Sequence, residues 1–499
     1  MGVLKFKVHP PERVKALPGL KDGYMTGLDR TAGRSTIQIR PGLVLCHREH
    51  GESGRFHVAW PVPEFGMPVI NTATLAERAE PYDLAVELAR GRLNDVRNQA
   101  ADWIQMGLEP ASELDEHLRQ SQRWFAKAVT SQSDPEASGA ASARSLTAAF
   151  HAARSLMSSY TEQVIRRRRD LAPALPTHLS CSIGTDPRRG SLPPSLAGCL
   201  NAARITCNWG RLAPHEGRLN FDDFDAQLAW CKSNRLAVSA GPLLDFRPSA
   251  LPDWLWLWGG DFDDILSMVE DLVRQVLGRY RNKVGTWHLI HRAGGEEILG
   301  LNEEEQVRLT ARVIQLARQT APQAQLVIDF ERPWADWLAT SSFQLGPLHL
   351  ADSLARAELG LTGIGIEVAA GYSAPGSRVR DDLDLSRLLD QYSLVGLPLY
   401  VTFAVPSGSG PDAKAESNVT VDASEWPTEP SNVMQRDVAS RWISLATAKP
   451  FVKEVHLAQA TDATPHLFPH AGLFQPDGTA KPLADWLTHF RRSLLEAAR

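Results

Sequence analysis

At 499 residues, the chain is too long for one small domain, and two or three folding units are expected. Its composition, 43% hydrophobic and 22% charged with a formal net charge of −5, excludes the broad basic surface of a nucleic-acid binder. No uninterrupted apolar run nears the ~18 residues of a membrane span, and the opening "MGVLKFKVHPPERV" has no apolar core of signal-peptide length. A cytoplasmic location with no membrane and no nucleic-acid partner is therefore expected.

Residues 1–78 are short apolar or alternating runs cut by turn residues, as in "STIQIRPGLVLCHREHGESGRFHVAWPVPEFG". The period of two in "RFHVAW", with "HGESG" as a turn, predicts a small antiparallel β domain of sandwich type. Its aromatics Tyr24, Phe56, Trp60 and Phe65 serve either a core or a sugar-stacking face, core being the simpler reading.

Residues 79–170 change rhythm. Leu88, Leu93, Val96, Ala100 and Trp103 recur at helical spacing, as do Leu114, Leu118, Phe125 and Val129, then Leu146, Phe150, Met157, Tyr160 and Val164. Three helices are predicted, the second N-capped by Ser112 and the third following a turn at "SQSDPEASGAASA". "RRRR" at 166–169 suits the negative end of a helix, and 171–177 reads as a proline-containing linker. Cys46, Cys181, Cys199, Cys207 and Cys231 are odd in number and lack CxxC spacing, so buried reduced thiols are expected.

From 178 to 499, strands alternate with helices. Strands are predicted near 179–185, 203–208, 236–244, 284–291, 325–330, 361–368, 397–404 and 452–458. Helical patterns such as "DFDDILSMVEDLVRQVLGRY" lie between them. Eight such units predict an α/β fold, a (β/α)₈ TIM barrel whose chemistry sits where the C-terminal strand ends converge. The segment 405–432, rich in Gly, Ser and Pro, is expected to be a flap over that mouth.

Several segments of this half, in order, carry a likeness. "APHEGRLNF", "LPDW", "GRYRNKVGTWHLIHR", "APQAQLVIDFE", "LTGIGIEV" and "GLFQPDGTAKPLADWL" resemble successive motifs of glycoside hydrolase family 10, the xylanase family. The resemblance covers residues 178–499 only. It implies a TIM barrel and a retaining mechanism, which needs two carboxyl groups about 5–5.5 Å apart. At the matching positions, however, the acid/base is replaced by Arg292, preceded by His291, and the nucleophile by Phe403. Arginine stays protonated and cannot serve as an acid, and phenylalanine has no nucleophilic lone pair. The sugar-binding positions also differ: Asn208 replaces a lysine while Trp209 remains. Gly241, Asp245 and Phe246 replace a His/Trp/His group, Glu367 and Ala369 replace a Gln/His pair, and Ala458 replaces a tryptophan.

Polar residues still gather at the predicted strand ends. Asp245, His288, His291, Arg292, Gln459 and Asp462, with Asn208, Trp209 and Trp254, are the candidate substrate-binding residues. Glu296 and Glu297 lie in the loop beyond His291. Glu367, Glu331 and Asp329 are the candidate relocated acids, because adjacent strands ~4.8 Å apart can bring two carboxyls to retaining distance. The bland alternative is a salt-bridged layer, with Arg292 or Arg332 answering Glu367. Metal binding by these His and acid residues is a weaker alternative: no helical HxxxH or HExxH spacing supports it, and strand alternation would send His288 and His291 to opposite sides. No metal and no cofactor are expected. "PHLFPH" puts His466 and His470 beside the mouth or at the surface. "WLWLW" makes a sugar platform of Trp254, Trp256 and Trp258 if extended, and splays them if helical.

The leading expectation is a barrel that binds an oligosaccharide or glycoside without xylanase activity. The alternatives are an enzyme using the acids around Glu367, and an assembly protein engaging a partner or a second copy through the helical segment.

Overall fold

In the computed structural model, the described residues are 2–28, 30–184, 187, 192–292, 297–373, 376–416 and 418–496. Glu296 lies outside them.

The N-terminal unit is two four-stranded sheets. In the first, Ser35–Arg40, Leu43–Arg48 and Gly2–Lys7 run antiparallel, and Tyr82–Asp83 adds a parallel edge beyond the expected boundary at 78. The second contains Ala32–Gly33, Tyr24–Thr26, Arg55–Ala59 and Val69–Asn71. Alternation in "GVLKFK" turns Leu4 and Phe6 inward, and Phe6 stacks on Phe56 at 4.8 Å between centroids. Tyr24, Phe56 and Trp60 are all buried, and Phe65 packs against Phe150, so these aromatics form packing rather than a sugar platform.

Three helices follow: α1 (Leu84–Gln105), α2 (Ser112–Thr130) and α3 (Pro135–Leu171). Asp83 caps α1 and Asp134 caps α3, each carboxylate accepting a backbone N–H of the first turn. Two local expectations are corrected. Ala111, not Ser112, occupies the N-cap, and the Ser112 hydroxyl turns to Glu113 instead. Most of the predicted turn at 131–143 is the start of α3, because Asp134 and Pro135 form a cap with proline in the first turn and the small residues pack against α2. The arginines ending α3 are not simply solvated: Arg168 and Arg169 donate to the carbonyls of Thr447 and Ser493.

The rest is the barrel. Its strands are β1 (His178–Cys181), β2 (Ala202–Ile205), β3 (Ala237–Ala240), β4 (Thr286–His291), β5 (Gln325–Phe330), β6 (Gly363–Ala369), β7 (Leu399–Ala404) and β8 (Val452–Leu457). They pair in parallel in chain order. β8 returns to β1, and a bridge between Ser182 and Arg204 closes the ring. A short strand, Leu244–Asp245, pairs with the end of β4 and carries Asp245 to the mouth. The cysteines are free and buried. No described helix is long and apolar enough to cross a membrane.

The barrel interior is unusually polar. Ser180, Arg204 and Glu454 form a buried group, with Arg204 2.9 Å from Glu454 and the Ser180 hydroxyl 2.7 Å from the same carboxylate. Glycines in β6 make room for such side chains. A Cβ at Gly365 would stand 1.7 Å from Asp329 Oδ1, and one at Gly363 would stand 2.5 Å from the Tyr400 ring. The N-terminal unit docks through specific bonds: Val69 N–H donates to Val379 O at 2.9 Å, and Arg380 donates to the Tyr24 hydroxyl at 2.9 Å.

Candidate functional site

A bulge organises the end of β4. The pairing register with β5 shifts between His288 and Ile290, so one residue of β4 goes uncounted. Strict alternation would send His288 and His291 to opposite faces; the bulge turns both inward, which corrects that expectation. His288 Nδ1 lies 2.8 and 2.9 Å from the two Asp329 oxygens, fully buried, with its ring edge-on to Tyr400 at 5.5 Å. Asp329 is thereby spent on a structural pair beneath the mouth.

His291 sits one level higher, between two carboxylates. Its Nδ1 is 3.6 Å from Asp245 and its Nε2 is 3.5 Å from Glu367, distances of ion pairs rather than tight hydrogen bonds. Burial opposes charge on the imidazole, but Glu367 and Asp245 override it and raise its pKa to about 10. Burial likewise works against the Glu367 carboxylate, yet His291 and then Arg247 hold its pKa below the ordinary value. Asp245 is bound on its far side by Arg247, whose Nε donates at 2.8 Å, and its pKa is also depressed despite burial. Arg247 reaches on to Glu416 of the flap at 3.3 Å.

The expected arginine partner of Glu367 is therefore corrected. Both candidate arginines go to Glu331: Arg292 Nε lies 2.7 Å from one oxygen and Arg332 2.9 Å from the other. Arg292 (φ 64°) and Arg332 (φ 49°) adopt left-handed backbone directly after β4 and shortly after β5. Such conformations cost of order 1–3 kcal/mol each and recur at functional sites. Ligand atoms of His291, Glu331 and Glu367 lie within 4.8 Å of one another. That spacing resembles a retaining acid pair or a metal triad. A protonated His291 and two arginines already supply positive charge there, which does not suit a metal ion.

Above this floor the mouth is roofed. Val419 and Val421 of the flap pack with Leu467 and Phe468 of the loop after β8 and with Tyr372. A small pocket remains, lined by Arg292, Glu331, Arg332 and Glu367 and by Leu467 and Phe468. His466 pins the roof rather than facing a ligand: its Nε2 lies 3.0 Å from Asp412 of the flap, and the His470 backbone N–H donates to the same carboxylate at 3.0 Å.

The remaining predicted residues are placed elsewhere. Asp462 is buried in a 2.6 Å ion pair with Lys481 and accepts from Gln459 at 3.0 Å, so both brace the loop after β8. Asn208 caps the short helix Trp209–Leu212 by accepting from Arg211 N–H at 3.0 Å. Trp209 is buried edge-on to Trp254, whose indole N–H donates to Ala213 O at 2.8 Å. "WLWLW" forms a tight 3₁₀ helix, Asp253–Trp258, so its tryptophans splay and the platform does not form. Phe403 points out of the barrel onto Trp442 at 5.6 Å. The inward neighbour on β7 is Thr402, in register with Glu367 and His456, and β7 carries no Asp or Glu. Glu297 is exposed beyond the site.

Sequence reasoning missed Arg247, Glu416 and the roof residues Val419 and Phe468. "LDFR" carried a signal for the first, since an arginine two residues after a strand-end aspartate can turn back onto it. Nothing in the flap sequence announced its contact points.

The architecture defines a (β/α)₈ barrel protein. No family model matches the chain. Among solved structures it is similar to native xylanase 10B from Thermotoga maritima, at 16% identity and TM-score 0.48, covering 65% of this chain and 98% of that one. It is also similar to a psychrophilic glycoside hydrolase family 10 endo-beta-1,4-xylanase, at 13% identity and TM-score 0.47, covering 63% and 96%. Among curated proteins, endo-1,4-beta-xylanase B of Humicola insolens is 26% identical over 85 residues, which are 17% of this chain and 23% of that enzyme.

Proposed function

We propose that the barrel mouth binds a short carbohydrate or glycoside and does not hydrolyse it by the two-carboxylate route. The observation that carries this reading is the ion pairing on the floor. Glu331 lies between Arg292 and Arg332, and Glu367 is held ionised against His291. A retaining site needs one carboxyl protonated at the working pH as general acid, and ion pairing works against that. Polar groups on the floor facing Phe468 and Leu467 suit a sugar, which offers hydroxyl edges and an apolar face. The roof favours a ligand that enters end-on over a polymer lying across the barrel.

The test is a panel of xylo-, cello- and manno-oligosaccharides followed by mass spectrometry and by ligand-observed NMR, with Glu367→Gln alongside. Binding of an oligosaccharide that stays intact, weakened in the variant, is expected. Cleavage by the parent that disappears in the variant would overturn the reading in favour of a relocated acid pair, whose spacing Glu331 and Glu367 approximate. An assembly role through the helical segment draws support from Ile104 and Met106, exposed together at the end of α1. It predicts a concentration-dependent mass in light scattering that Met106→Glu lowers.

A further inference from the structure

The second concentration of arginine lies outside the barrel, in a cleft between the N-terminal β unit and the barrel's flank. Arg30 comes from the turn after Thr26, Arg55 from the strand Arg55–Ala59, Arg387 from the middle of the barrel helix Asp382–Ser393, and Arg380 from just before that helix. All four line one open cleft, and Asp384 is the carboxylate on its wall.

Among the described residues, the surrounding pairings leave this space one carboxylate short. Asp95 alone answers two guanidiniums, at 2.9 Å from Arg55 and 3.1 Å from Arg387. Arg380 turns to Asp336 at 3.5 Å and to the Tyr24 hydroxyl, and Asp384 is 3.8 Å from Arg92, which also binds Asp381. Arg30 has no ion-pair partner among the described residues. Partial desolvation, then the charges of Arg387 and Arg55, act against its own charge and outweigh the attraction of Asp95 and Asp384. His57 reports the same field: burial first, then Arg380 and Arg55, lower its pKa to about 3, leaving a neutral imidazole 2.9 Å from the Thr26 hydroxyl. Two guanidiniums sharing one carboxylate, with Arg30 beside them, leave one positive charge over at the edge of the cleft, which an oxyanion answers.

We infer that this cleft is a binding site for a small phosphate monoester, its phosphoryl group held by Arg30, Arg55 and Arg387 and its body against Trp334 and Leu348. Guanidiniums lining one cleft from three separate elements match the several equivalent oxygens of a phosphoryl group better than the two of a carboxylate. The far wall, with Trp334, Leu348 and Leu388, is apolar and accepts the ester's organic part. This site is independent of the barrel mouth and of the reading given above for it.

The experiment is thermal unfolding of the full chain at constant ionic strength, with inorganic phosphate, phenyl phosphate, acetate or chloride as the variable anion. Isothermal titration of the same anions accompanies it. A ligand of the native state raises Tm in a saturable way. Phosphate and phenyl phosphate are expected to raise it, the ester more strongly, while acetate and chloride do not. Arg30→Gln should weaken phosphate binding at least tenfold, and its Tm without phosphate should equal or exceed that of the parent, because a repelled charge has been removed. Arg55→Gln provides a second reading from a different element. Equal responses to phosphate and acetate would overturn the phosphate assignment. A phosphate response that survives in both variants would place the anion elsewhere and overturn the site, and so would the absence of any response in the parent.

Discussion

At the barrel mouth, Arg247, Arg292 and Arg332 each meet a carboxylate, and even the buried His291 is a cation between two anions. In the flanking cleft, one carboxylate serves two guanidiniums and Arg30 meets none among the described residues. The same residue type thus does different work in the two places. Matched charges in a low-dielectric layer fix geometry and are costly to break singly, whereas unmatched charges beside water cost little to keep and are available to a ligand. The contrast predicts that mutations at the mouth are read as stability and those in the cleft as anion dependence.

The largest effect should come from His291→Gln. It leaves Glu367 buried without its cation, and removing one partner of a buried pair typically costs roughly 3–5 kcal/mol. Urea unfolding near pH 7 measures it. The pH dependence should follow. His291 titrates near ~6.5 when unfolded and at about 10 in the barrel. Its contribution is therefore complete below the unfolded value and lost as pH rises through the folded one. Glu367 and Asp245 are depressed, so their contribution is present above their unfolded values and lost as pH falls through the folded ones. The parent should lose stability in both directions, and His291→Gln should lack the alkaline decline. A variant as stable as the parent would mean that the mouth is not the matched layer described.

Next in size is Gly365→Ala. The new Cβ would collide with Asp329 and displace the carboxylate that holds His288, and overpacking of this kind costs roughly 1–3 kcal/mol. The expected result is a lowered Tm together with changed His288 ring resonances, while phosphate dependence stays as in the parent.

The flap supplies a comparable effect with a pH signature. Burial raises the Glu425 pKa to about 7, against the opposing bonds from Val379 N–H and Arg378. Unfolded glutamate titrates near ~4.3, so stability from the protonated form is complete below that value and fades as pH rises through 7. Amide exchange of residues 418–426 should accelerate between pH 6 and 8 in the parent, in excess of the intrinsic rate. Glu425→Gln should flatten that excess; an unchanged profile would remove Glu425 as its source.

These sites were unequally legible in the sequence. Eight strands were readable because buried runs such as "TWHLIH" and "LYVTFA" alternate with long amphipathic helices, and that rhythm survives any change in the polar residues at strand ends. The cluster at the mouth was readable as a set, since strand ends converge by architecture. Its pairings were not. One bulged residue in β4 decides whether His288 and His291 face together, and no local preference announces a bulge. Arg292 and Arg332 reach Glu331 rather than Glu367 through left-handed backbone at non-glycine residues, which sequence statistics disfavour. The cleft was invisible, because Arg30, Arg55 and Arg387 come from separate elements more than three hundred residues apart at the extremes and meet only when the two units dock.

The smallest predicted effects are those that best separate the two regions. Arg55→Gln removes one of two cations on Asp95 and leaves Arg387 at 3.1 Å, so the loss should be no more than about 1 kcal/mol, the scale of a partly exposed pair. Arg30→Gln removes a charge whose repulsion by Arg387 and Arg55 outweighs its attraction to Asp95 and Asp384, and should be neutral or slightly stabilising, within roughly 0.5 kcal/mol as for most exposed substitutions. In the double variant the two should not add: once Arg55 is gone, part of the repulsion felt by Arg30 has gone with it, so removing Arg30 yields less. A cycle measured by urea unfolding at low salt, repeated at high salt where the coupling should shrink, tests whether the arginines share one field. Strict additivity at low salt would mean that they do not face a common space, and the contrast with the mouth would then rest on burial alone.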